Sequence, residues 1–463
     1  MKNRYIDLIE QTFYFPQEGF DVKDGQLDFN GVPLMDLVKE YGTPLRISYL
    51  PKISSQIQKA KRIFNEAIKE NNYDGQYFYS YCTKASHFSF VVEEALKNDI
   101  HLETSSAFDI NLVENLVAKG KVNTSQFIIC NGFKTDQYKA NILRLHQNGF
   151  NNIIPVLDNK PEINYYQQHL DGQMKIGIRI AADEEPKYEF YTSRLGIRYS
   201  DIIEFYKQNI ENNPKFELKM LHFFINTGIK DTTYYWSELN KAIKVYIALK
   251  KICSNLEYIN IGGGLPIRHG LHSDYDYEYM LREVVKAIKT QCDSSEVQVP
   301  HIFTEFGSFT VGESGATIFS VLNEKRQNDI EDWYMIDGSL MTTLPDIWGM
   351  SQRFILLPLN KWEQDYQKVN IGGLSCDIGD YYNSETHQHQ VFLPELDEKE
   401  PLYIGFFHTG AYQESISGYG GTKHCLIPAP KVLLINRDEH GNLTKEVFSQ
   451  EQNPEAMLKI LGY

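Results

Sequence analysis

The sequence predicts an α/β fold in which a (β/α)8 barrel of the TIM type is followed by a mostly β C-terminal domain. Three observations support this prediction. The chain has 463 residues, too many for one ordinary hydrophobic core. Strand-like apolar runs then alternate with amphipathic helical stretches, and past residue 330 this alternation gives way to short β-type runs between polar turns. We therefore expect an N-terminal segment at 1–44 that packs with the β domain, a barrel at 45–325 and a β domain at 326–463.

The barrel prediction depends on a count of eight strand-like runs, each followed by a connecting stretch. These runs are Gln76–Cys82, Ile100–Thr104, Gln126–Cys130, Asn152–Leu157, Lys175–Ile180, Lys219–Ile225, Tyr258–Ile261 and His301–Glu305. The clearest helical candidates between them are Phe88–Lys97, Phe108–Lys119, Thr135–Asn148 and Ser237–Lys251. Eight units favour a closed barrel, and a doubly wound open sheet is the alternative.

Weaker signals flank the barrel on both sides. Two strands are expected in the N-terminal segment, near Phe20–Val22 and Leu27–Phe29. The β domain is indicated by the runs Trp333–Ile336, Arg353–Leu357, Gln390–Leu393, Tyr403–Phe407 and Lys431–Ile435.

Composition excludes several classes of protein. Hydrophobic residues make up 42% and charged residues 23%, which are globular values, and the net charge of −15 argues against nucleic acid as a partner. The six cysteines form no CxxC pair, which predicts a reduced, cytoplasmic setting. The N-terminal stretch is charged and aromatic and lacks an apolar signal core, and no apolar run approaches membrane-spanning length.

Polar side chains follow the ends of the predicted strands. Because the carboxyl ends of barrel strands surround one mouth, where barrel enzymes carry their reactive groups, we expect these residues to converge. The polar residues are Lys84, Glu103, Ser105, Asn131, Asp158, Arg179, Asn226, Thr227 and Glu305, and the triglycine Gly262, Gly263 and Gly264 lies at the end of the seventh strand. A single lysine at a strand end is in general a solvated surface charge. The other residues at equivalent strand ends are what favour a functional role for Lys84.

The combination of Lys84 with the triglycine in INIGGGLP suggests a cofactor site. Glycines let the backbone approach an anion and direct N–H groups at it, although GGG alone is a weak motif. The GxGxxG and GxxxxGK[ST] spacings of dinucleotide and nucleoside triphosphate sites are absent from the sequence. A lysine opposite a phosphate cradle suggests pyridoxal 5′-phosphate (PLP), with Lys84 in a Schiff base and Glu305 facing the pyridine nitrogen.

At this point the motifs resemble a known family, the fold-type III PLP-dependent decarboxylases, which share a barrel with alanine racemase. The resemblance covers residues 45 to 425 in family order. Its motifs are YCTKAS, LETSSAFDI, KIGIRIAADEE with SRLGI, HFFINTGI, INIGGGLP, TEFGSFTV, SCDIGDYY and HTGAY.

The resemblance implies a role for each matching position. Lys84 is the Schiff-base lysine, with Glu103 and Arg179 beside it. The phosphate contacts are Thr227, Gly262, Gly263, Gly264 and Tyr412, and Glu305 binds the pyridinium. Cys376 is the proton donor, and in this family it enters the active site of the partner subunit, which implies a homodimer with shared sites.

Three departures from the family pattern concern the cofactor contacts. Phe224 stands where the family has a histidine that stacks on the cofactor ring, and an aromatic ring can still stack there. Asn226 and Thr227 replace a Gly-Ser pair, and the threonine hydroxyl can still reach a phosphate. Ser308 replaces an arginine, which removes one phosphate cation.

Two stretches bear on the substrate. Cys376–Asp377 is typical of the enzymes for ornithine and arginine, whose substrates end in a cation that Asp377 would meet, although Asp377 is equally suited to a turn. The segment 337–362, with its LPD-x-W core, resembles the biosynthetic arginine decarboxylases and would place Asp346 on a guanidinium, although those enzymes are considerably longer.

The resemblance thus implies decarboxylation of arginine to agmatine and CO2, a step of polyamine and spermidine biosynthesis, with no metal predicted. Alternatives are a racemase, or a decarboxylase for ornithine, lysine, or a diaminopimelate- or carboxynorspermidine-type substrate. A non-catalytic regulator that binds a decarboxylase is a further class, but such relatives tend to lose the lysine or the cysteine, and this sequence keeps both. A PLP carrier with only the barrel is disfavoured by the β domain.

Overall fold

The structure is a computed structural model that describes residues 15–184, 189–386, 389–397 and 399–463. It divides into two compact units. The barrel unit comprises Ser54–Pro266 and Tyr275–Thr310, and the β unit comprises Met1–Ile53, Ile267–Asp274 and Val311–Tyr463. The domain limits expected from the sequence stay a prediction. Residues 1–14 of the N-terminal segment, and Glu185 at the end of the KIGIRIAADEE motif, lie outside the described residues.

The described part of the β unit begins with a small antiparallel sheet. Its elements, with the helix and strand that follow, are β1 (Phe20–Lys23), β2 (Gln26–Phe29), β3 (Val32–Pro33), α1 (Leu34–Tyr41) and β4 (Leu45–Tyr49). The two strands expected in this segment are therefore present.

Eight parallel strands form a closed barrel, which confirms the predicted fold class and excludes the open sheet. The strands are β5 (Tyr77–Cys82), β6 (His101–Thr104), β7 (Ile128–Cys130), β8 (Ile153–Leu157), β9 (Met174–Ala181), β11 (Phe216–His222), β12 (Tyr258–Asn260) and β13 (His301–Phe306), and a short β10 (Ile197–Arg198) pairs with β9. Each strand pairs with the next, and β13 returns to β5 to complete the ring.

The predicted end of the sixth barrel strand was wrong. The run Lys219–Ile225 was expected to be a strand, but β11 ends at His222. Phe223 and Ile225 are buried in the connection that follows, so their apolar character imitates a continuing strand.

Four of the barrel helices begin at a capping side chain. Ser106 Oγ accepts a hydrogen bond from Asp109 N (3.2 Å), and Thr135 Oγ1 accepts one from Tyr138 N (3.2 Å). The helices are α2 (Leu50–Glu70), α3 (Ser89–Leu96), α4 (Ala107–Ala118), α5 (Asp136–Gln147), α6 (Glu162–His169), α7 (Ile202–Asn209), α8 (Thr233–Lys250), α9 (Tyr277–Ser294) and the short α10 (Ser308–Val311).

Apolar and aromatic side chains fill part of the barrel interior. Phe127, Ile129, Ile154, Val156, Met220, Tyr258 and Phe303 form one buried cluster. Burying such a layer removes several hundred square ångströms of apolar surface from water, at roughly 25 cal/mol per Å². The interior is thus packed, and only the carboxyl ends of the strands are left for polar chemistry.

The rest of the β unit is mostly strand, as predicted. Its elements are β14 (Gly315–Arg326), β15 (Asp332–Ile336), α11 (Leu340–Thr343), α12 (Asp346–Gly349), β16 (Ile355–Pro358), β17 (Tyr366–Lys368), β18 (Asn370–Gly372), β19 (Tyr381–Tyr382), β20 (Phe392–Pro394), β21 (Tyr403–Phe407), α13 (Gln413–Ser417), β22 (Lys431–Arg437), β23 (Leu443–Ser449) and α14 (Pro454–Leu461).

The main sheet of this unit has the strand order β19-β18-β15-β14-β4-β22-β23, and β21 pairs with both β14 and β16. The strand β4, which comes early in the chain, lies between β14 and β22 in this sheet. It pairs antiparallel with β14 and parallel with β22. Across the described residues, no helix is both long and apolar enough to cross a membrane.

Candidate active site

Lys84 lies at the mouth of the barrel, in the short turn that follows β5. Its Nζ donates a hydrogen bond to Oε2 of Glu103 at the end of β6 (2.7 Å). The lysine side chain is 43% exposed, whereas the glutamate is fully buried. A buried carboxylate therefore holds an amine that is still open to incoming molecules.

Asn131 joins Glu103 to a second buried carboxylate. Its Nδ2 donates to Glu103 Oε1 (3.0 Å) and to Glu305 Oε1 (2.9 Å). Asn260, the last residue of β12, donates to the same Glu305 oxygen at 2.6 Å. Four strand ends thus meet in one hydrogen-bonded cluster, and the amide groups between the carboxylates reduce their mutual repulsion.

Glu305 has a third donor, His222 at the end of β11. The His222 Nε2 lies 3.0 Å from Glu305 Oε2, and because an ionised carboxylate only accepts, the imidazole is the donor. Burial alone would raise the pKa of Glu305, but the facing His222, with Lys84 and Asn131, lowers it below its ordinary value. Glu305 is therefore ionised at neutral pH.

The triglycine forms a close-packed cradle beside this cluster. A Cβ on Gly263 would run into the backbone oxygen of Glu305, and one on Gly264 would lie 2.6 Å from the Cα of Gly228. Gly262 and Gly264 have φ values of +70° and +91°, which favour glycine. The backbone here can adopt its course only without side chains.

Among the buried polar atoms without a hydrogen-bond partner in the described residues, two belong to residues expected to bind the cofactor. They are the Thr227 Oγ1 and the Arg179 Nε. Thr227 adjoins Gly228, which packs on Gly264, so the backbone of Thr227 lies close to the triglycine. Buried polar atoms are nearly always hydrogen-bonded in proteins, so an unpartnered hydroxyl and an unpartnered guanidinium nitrogen suit an anionic group.

The guanidinium of Arg179 lies over the ring of Phe224. The guanidinium Cζ lies 5.7 Å from the centre of the Phe224 ring. Burial lowers the pKa of Arg179, while Asp158, Glu305 and Glu103 oppose the change. An arginine pKa starts so high that the group keeps its charge at neutral pH. The barrel mouth therefore holds two cations, Lys84 and Arg179, and three buried carboxylates, which are Glu103, Asp158 and Glu305.

Three of the strand-end candidates have other hydrogen-bond partners. Asp158 Oδ1 accepts from the amide of Gly196 (3.0 Å) and so holds the SRLGI loop. Asn226 donates to both oxygens of Glu184 on the surface (3.0 and 3.1 Å). The Ser105 amide donates to Asp109 Oδ2 (2.9 Å) at the start of α4. These contacts shape the loops around the mouth.

In the β unit, Cys376 is exposed in the loop between β18 and β19. Buried Asp380 fixes this loop by accepting from the amides of Met341 (3.0 Å) and Ser375 (2.9 Å). Asp377 Oδ1 accepts from the Gly379 amide at 2.8 Å, as a turn residue does. Its second oxygen is the one that could meet a ligand.

Asp346 begins α12 and is paired with Gln413. The Gln413 Nε2 donates to Asp346 Oδ2 (2.7 Å), and the Asp346 amide donates back to Gln413 Oε1 (3.3 Å). Burial raises the pKa of Asp346, and the hydrogen bond from Gln413 opposes that rise. The neighbouring Tyr412 has a φ of +67°, an uncommon backbone conformation for a residue with a side chain.

Sequence reasoning missed Asn260 and Gln413 and left His222 without a role. His222 and Asn260 are the last residues of their strands, so correct strand limits would have identified both. Gln413 follows the GAY motif directly, but nothing in the sequence links it to Asp346.

The class that this fold and site define is that of the pyridoxal-dependent barrel enzymes. The sequence matches the family described as pyridoxal-dependent decarboxylase, pyridoxal binding domain, over residues 52–312, more than half of the chain. The chain therefore belongs to the pyridoxal-dependent decarboxylases.

Relatives of known name cover nearly the whole chain. The biosynthetic arginine decarboxylase of Prochlorococcus marinus is 22% identical over 94% of this chain and 86% of its own length. That of Pelobacter propionicus is 28% identical over 92% and 85%. Among solved structures, the biosynthetic arginine decarboxylase of Campylobacter jejuni has a TM-score of 0.80 at 23% identity, covering 96% of this chain and 89% of that one. A diaminopimelate decarboxylase of M. jannaschii has a TM-score of 0.77 at 17% identity, covering 95% and 96%.

Proposed function

We propose that this protein decarboxylates L-arginine to agmatine and CO2, with PLP as its cofactor. The observation that carries the proposal is the cluster in which Lys84, Glu103, Asn131, His222 and Glu305 meet at the barrel mouth. The choice of arginine is supported by the names of the relatives and by the LPD-x-W segment. The hydrogen bond between Gln413 and Asp346 gives that segment a fixed carboxylate.

The residues at the mouth fit the proposed cofactor. Bound PLP would supply an aldehyde that bonds to amines and a ring that withdraws electrons from the amino acid's Cα. Lys84 would hold the aldehyde, and Phe224 would pack against the ring. The unpartnered Thr227 hydroxyl and the glycine cradle suit a phosphate, and the resemblance adds Tyr412.

Glu305 is suited to binding a protonated ring nitrogen. Its Oε1 accepts from Asn131 and Asn260, and its Oε2 accepts from His222. A carboxylate oxygen has about two acceptor positions, so Oε2 keeps one for a further donor. Because its pKa is lowered, Glu305 offers a full negative charge to that donor at neutral pH.

Cys376 would return a proton to the substrate Cα after CO2 leaves. The adjacent Cys425 thiol raises the pKa of Cys376, so the thiol holds its proton at neutral pH, as a proton donor must. Asp346 and Asp377 would bind the distal cation of the substrate. We further propose a cytoplasmic homodimer in which Cys376 serves the partner's site, within polyamine biosynthesis.

One assay tests the proposal. Purified protein with PLP is offered arginine, ornithine, lysine and diaminopimelate, and CO2, agmatine and putrescine are measured. Agmatine should be the main product. Lys84→Ala should lose both CO2 release and the visible absorbance of the bound cofactor. Faster turnover of another amino acid would make that amino acid the assigned substrate in place of arginine. Full activity of Lys84→Ala would overturn the proposed role of Lys84 in PLP-dependent decarboxylation.

The shared site is tested by mixing two inactive variants, Lys84→Ala and Cys376→Ala. In random hybrid dimers, one of the two sites is complete, so activity should return to about a quarter of the unsubstituted protein. An inactive mixture in which exchange of subunits is verified would argue that each chain uses its own cysteine.

A further inference from the structure

Three soft metal ligands lie together on the surface of the β unit. Cys376 Sγ is 3.4 Å from Cys425 Sγ and 3.9 Å from His424 Nε2. All three ligand atoms lie within 4.8 Å of one another, and all three residues are exposed. Only Cys376 is proposed to act on the substrate, so the decarboxylation does not explain why His424 and Cys425 lie beside it.

The spacing fits one tetrahedral ion. With Zn–S near 2.3 Å and Zn–N near 2.0–2.1 Å, two sulfurs on one zinc are about 3.8 Å apart, and a sulfur and a nitrogen about 3.6 Å. The two measured separations differ from these values by less than half an ångström. Exposure leaves the fourth position to water, as in three-ligand zinc sites.

Both loops that carry the ligands are held in place. Asp380 fixes the Cys376 loop through two amides, as described above. The His424–Leu426 turn is anchored by Lys423, whose Nζ donates to the carbonyl oxygens of Ser417 (2.6 Å) and Gly418 (2.9 Å). Within the turn, Cys425 and Leu426 have φ values of +55° and +53°, a conformation that residues with side chains rarely adopt.

We propose that Cys376, His424 and Cys425 bind one thiophilic divalent cation, with zinc as the representative ion. On binding, both thiols release their protons to solvent and the sulfurs donate electron pairs to the metal, with no oxidation or reduction. Imidazole as third ligand favours a metal over a simple thiol pair. If Cys376 is the proton donor proposed above, the metal removes the proton it delivers, so the site is inhibitory; this consequence rests on the proposed function.

The binding test uses the reduced, PLP-loaded full chain. Zinc affinity is measured by competition with a coloured chelator, and cobalt(II) serves as a spectroscopic probe, because thiolate-bound tetrahedral cobalt absorbs in the red, away from the cofactor. One ion per chain should bind. Loss of groups that merely orient metal ligands costs 10–100-fold in affinity, so Cys425→Ala and His424→Ala should each lose at least about 100-fold.

His440→Ala is the matched control, since His440 is an exposed histidine in the turn between β22 and β23. It should bind zinc like the unsubstituted protein. Unchanged zinc affinity in Cys425→Ala, or no red cobalt absorbance in the reduced protein, would overturn the site. The two thiols could instead form a disulfide. If the protein still binds no zinc after that disulfide is reduced, the site is also overturned.

Activity provides a separate measurement. Zinc should stop decarboxylation in the unsubstituted protein, EDTA should restore it, and His424→Ala should stay active at zinc concentrations that inhibit the unsubstituted protein. If zinc binds with the cobalt signature but CO2 release is unaffected, the metal site stands and the role of Cys376 as proton donor fails. If the protein releases no CO2 from any substrate, the proposed function fails while the cobalt measurement still decides the site.

Discussion

Asn131→Asp is the substitution that most directly tests the carboxylate cluster. The change keeps the shape of the side chain but replaces the Nδ2 that bridges Glu103 and Glu305. Two hydrogen bonds to buried charges are removed, each worth about 1.5–3 kcal/mol. If the new carboxyl were ionised, it would face each glutamate at about 3 Å, a repulsion of roughly 5 kcal/mol per pair at an effective dielectric constant of 20.

The introduced carboxyl group should therefore take up a proton in the folded protein. Once protonated, it keeps one donor, so the net loss at acidic pH is about 1.5–3 kcal/mol. Its pKa in the folded state then lies above the unfolded value near 3.9, so above about pH 4 the folded state binds more protons than the unfolded state. Stability must then fall as pH rises, by at most about 1.4 kcal/mol per pH unit.

The assay is urea unfolding of the apo protein followed by circular dichroism at pH 5, 6 and 7. The difference between the unsubstituted protein and Asn131→Asp should grow by up to about 2.8 kcal/mol across this range. Asn115→Asp, on the exposed face of α4, is the control and should show almost no pH-dependent difference. An Asn131→Asp protein as stable as the original, or one with a pH-independent deficit, would refute the reasoning.

Three further predictions concern single contacts. Burial would raise the pKa of Glu313, but His408 and Lys52 lower it to about 2. Glu313→Gln should therefore lose up to about 3 kcal/mol of stability at pH 7, a loss that shrinks as the pH falls through about 4.5 and disappears below pH 2, as urea titrations at each pH would reveal. Gly263→Ala forces a Cβ into the Glu305 carbonyl and should cost about 1–3 kcal/mol and weaken PLP binding, measured by thermal melting and cofactor titration, whereas Gly349→Ala, with open space around it, should be neutral. Asp346→Asn should raise the KM for arginine roughly 10–100-fold with little change in cofactor affinity, since it removes one charge-assisted hydrogen bond; an unchanged KM would remove Asp346 from the substrate site.

The sequence predicted the barrel and much of its mouth for one physical reason. Parallel strands in a closed ring end at the same side, so strand-end residues far apart in the chain gather there. Lys84, Glu103, Asn131 and Glu305 were found by this rule, and the structure joins them by hydrogen bonds. Their chemical roles stay predictions.

What the sequence missed depends on tertiary context. The apolar residues after His222 resemble a continuing strand, so the predicted strand end lies three positions too late and points to Asn226, which contacts Glu184 on the surface. The pairing of Asp346 with Gln413 joins residues of two short helices far apart in the chain, and no local pattern encodes it. The strand β4 was overlooked because it has no neighbouring strand in the sequence to pair with.

The central place of β4 in its sheet affects how the chain can fold during synthesis. Translation at ~5–20 residues per second takes about 20–80 s to cover the roughly 380 residues between Tyr49 and Lys431, where its parallel neighbour begins. Throughout this interval the nascent chain carries β4, with its apolar side chains Leu45, Ile47 and Tyr49 and at least one unpaired edge, while all the barrel strands emerge from the ribosome. The β unit is consequently completed last, by the final strands to be made, and β4 is the segment that a chaperone would have most reason to shield.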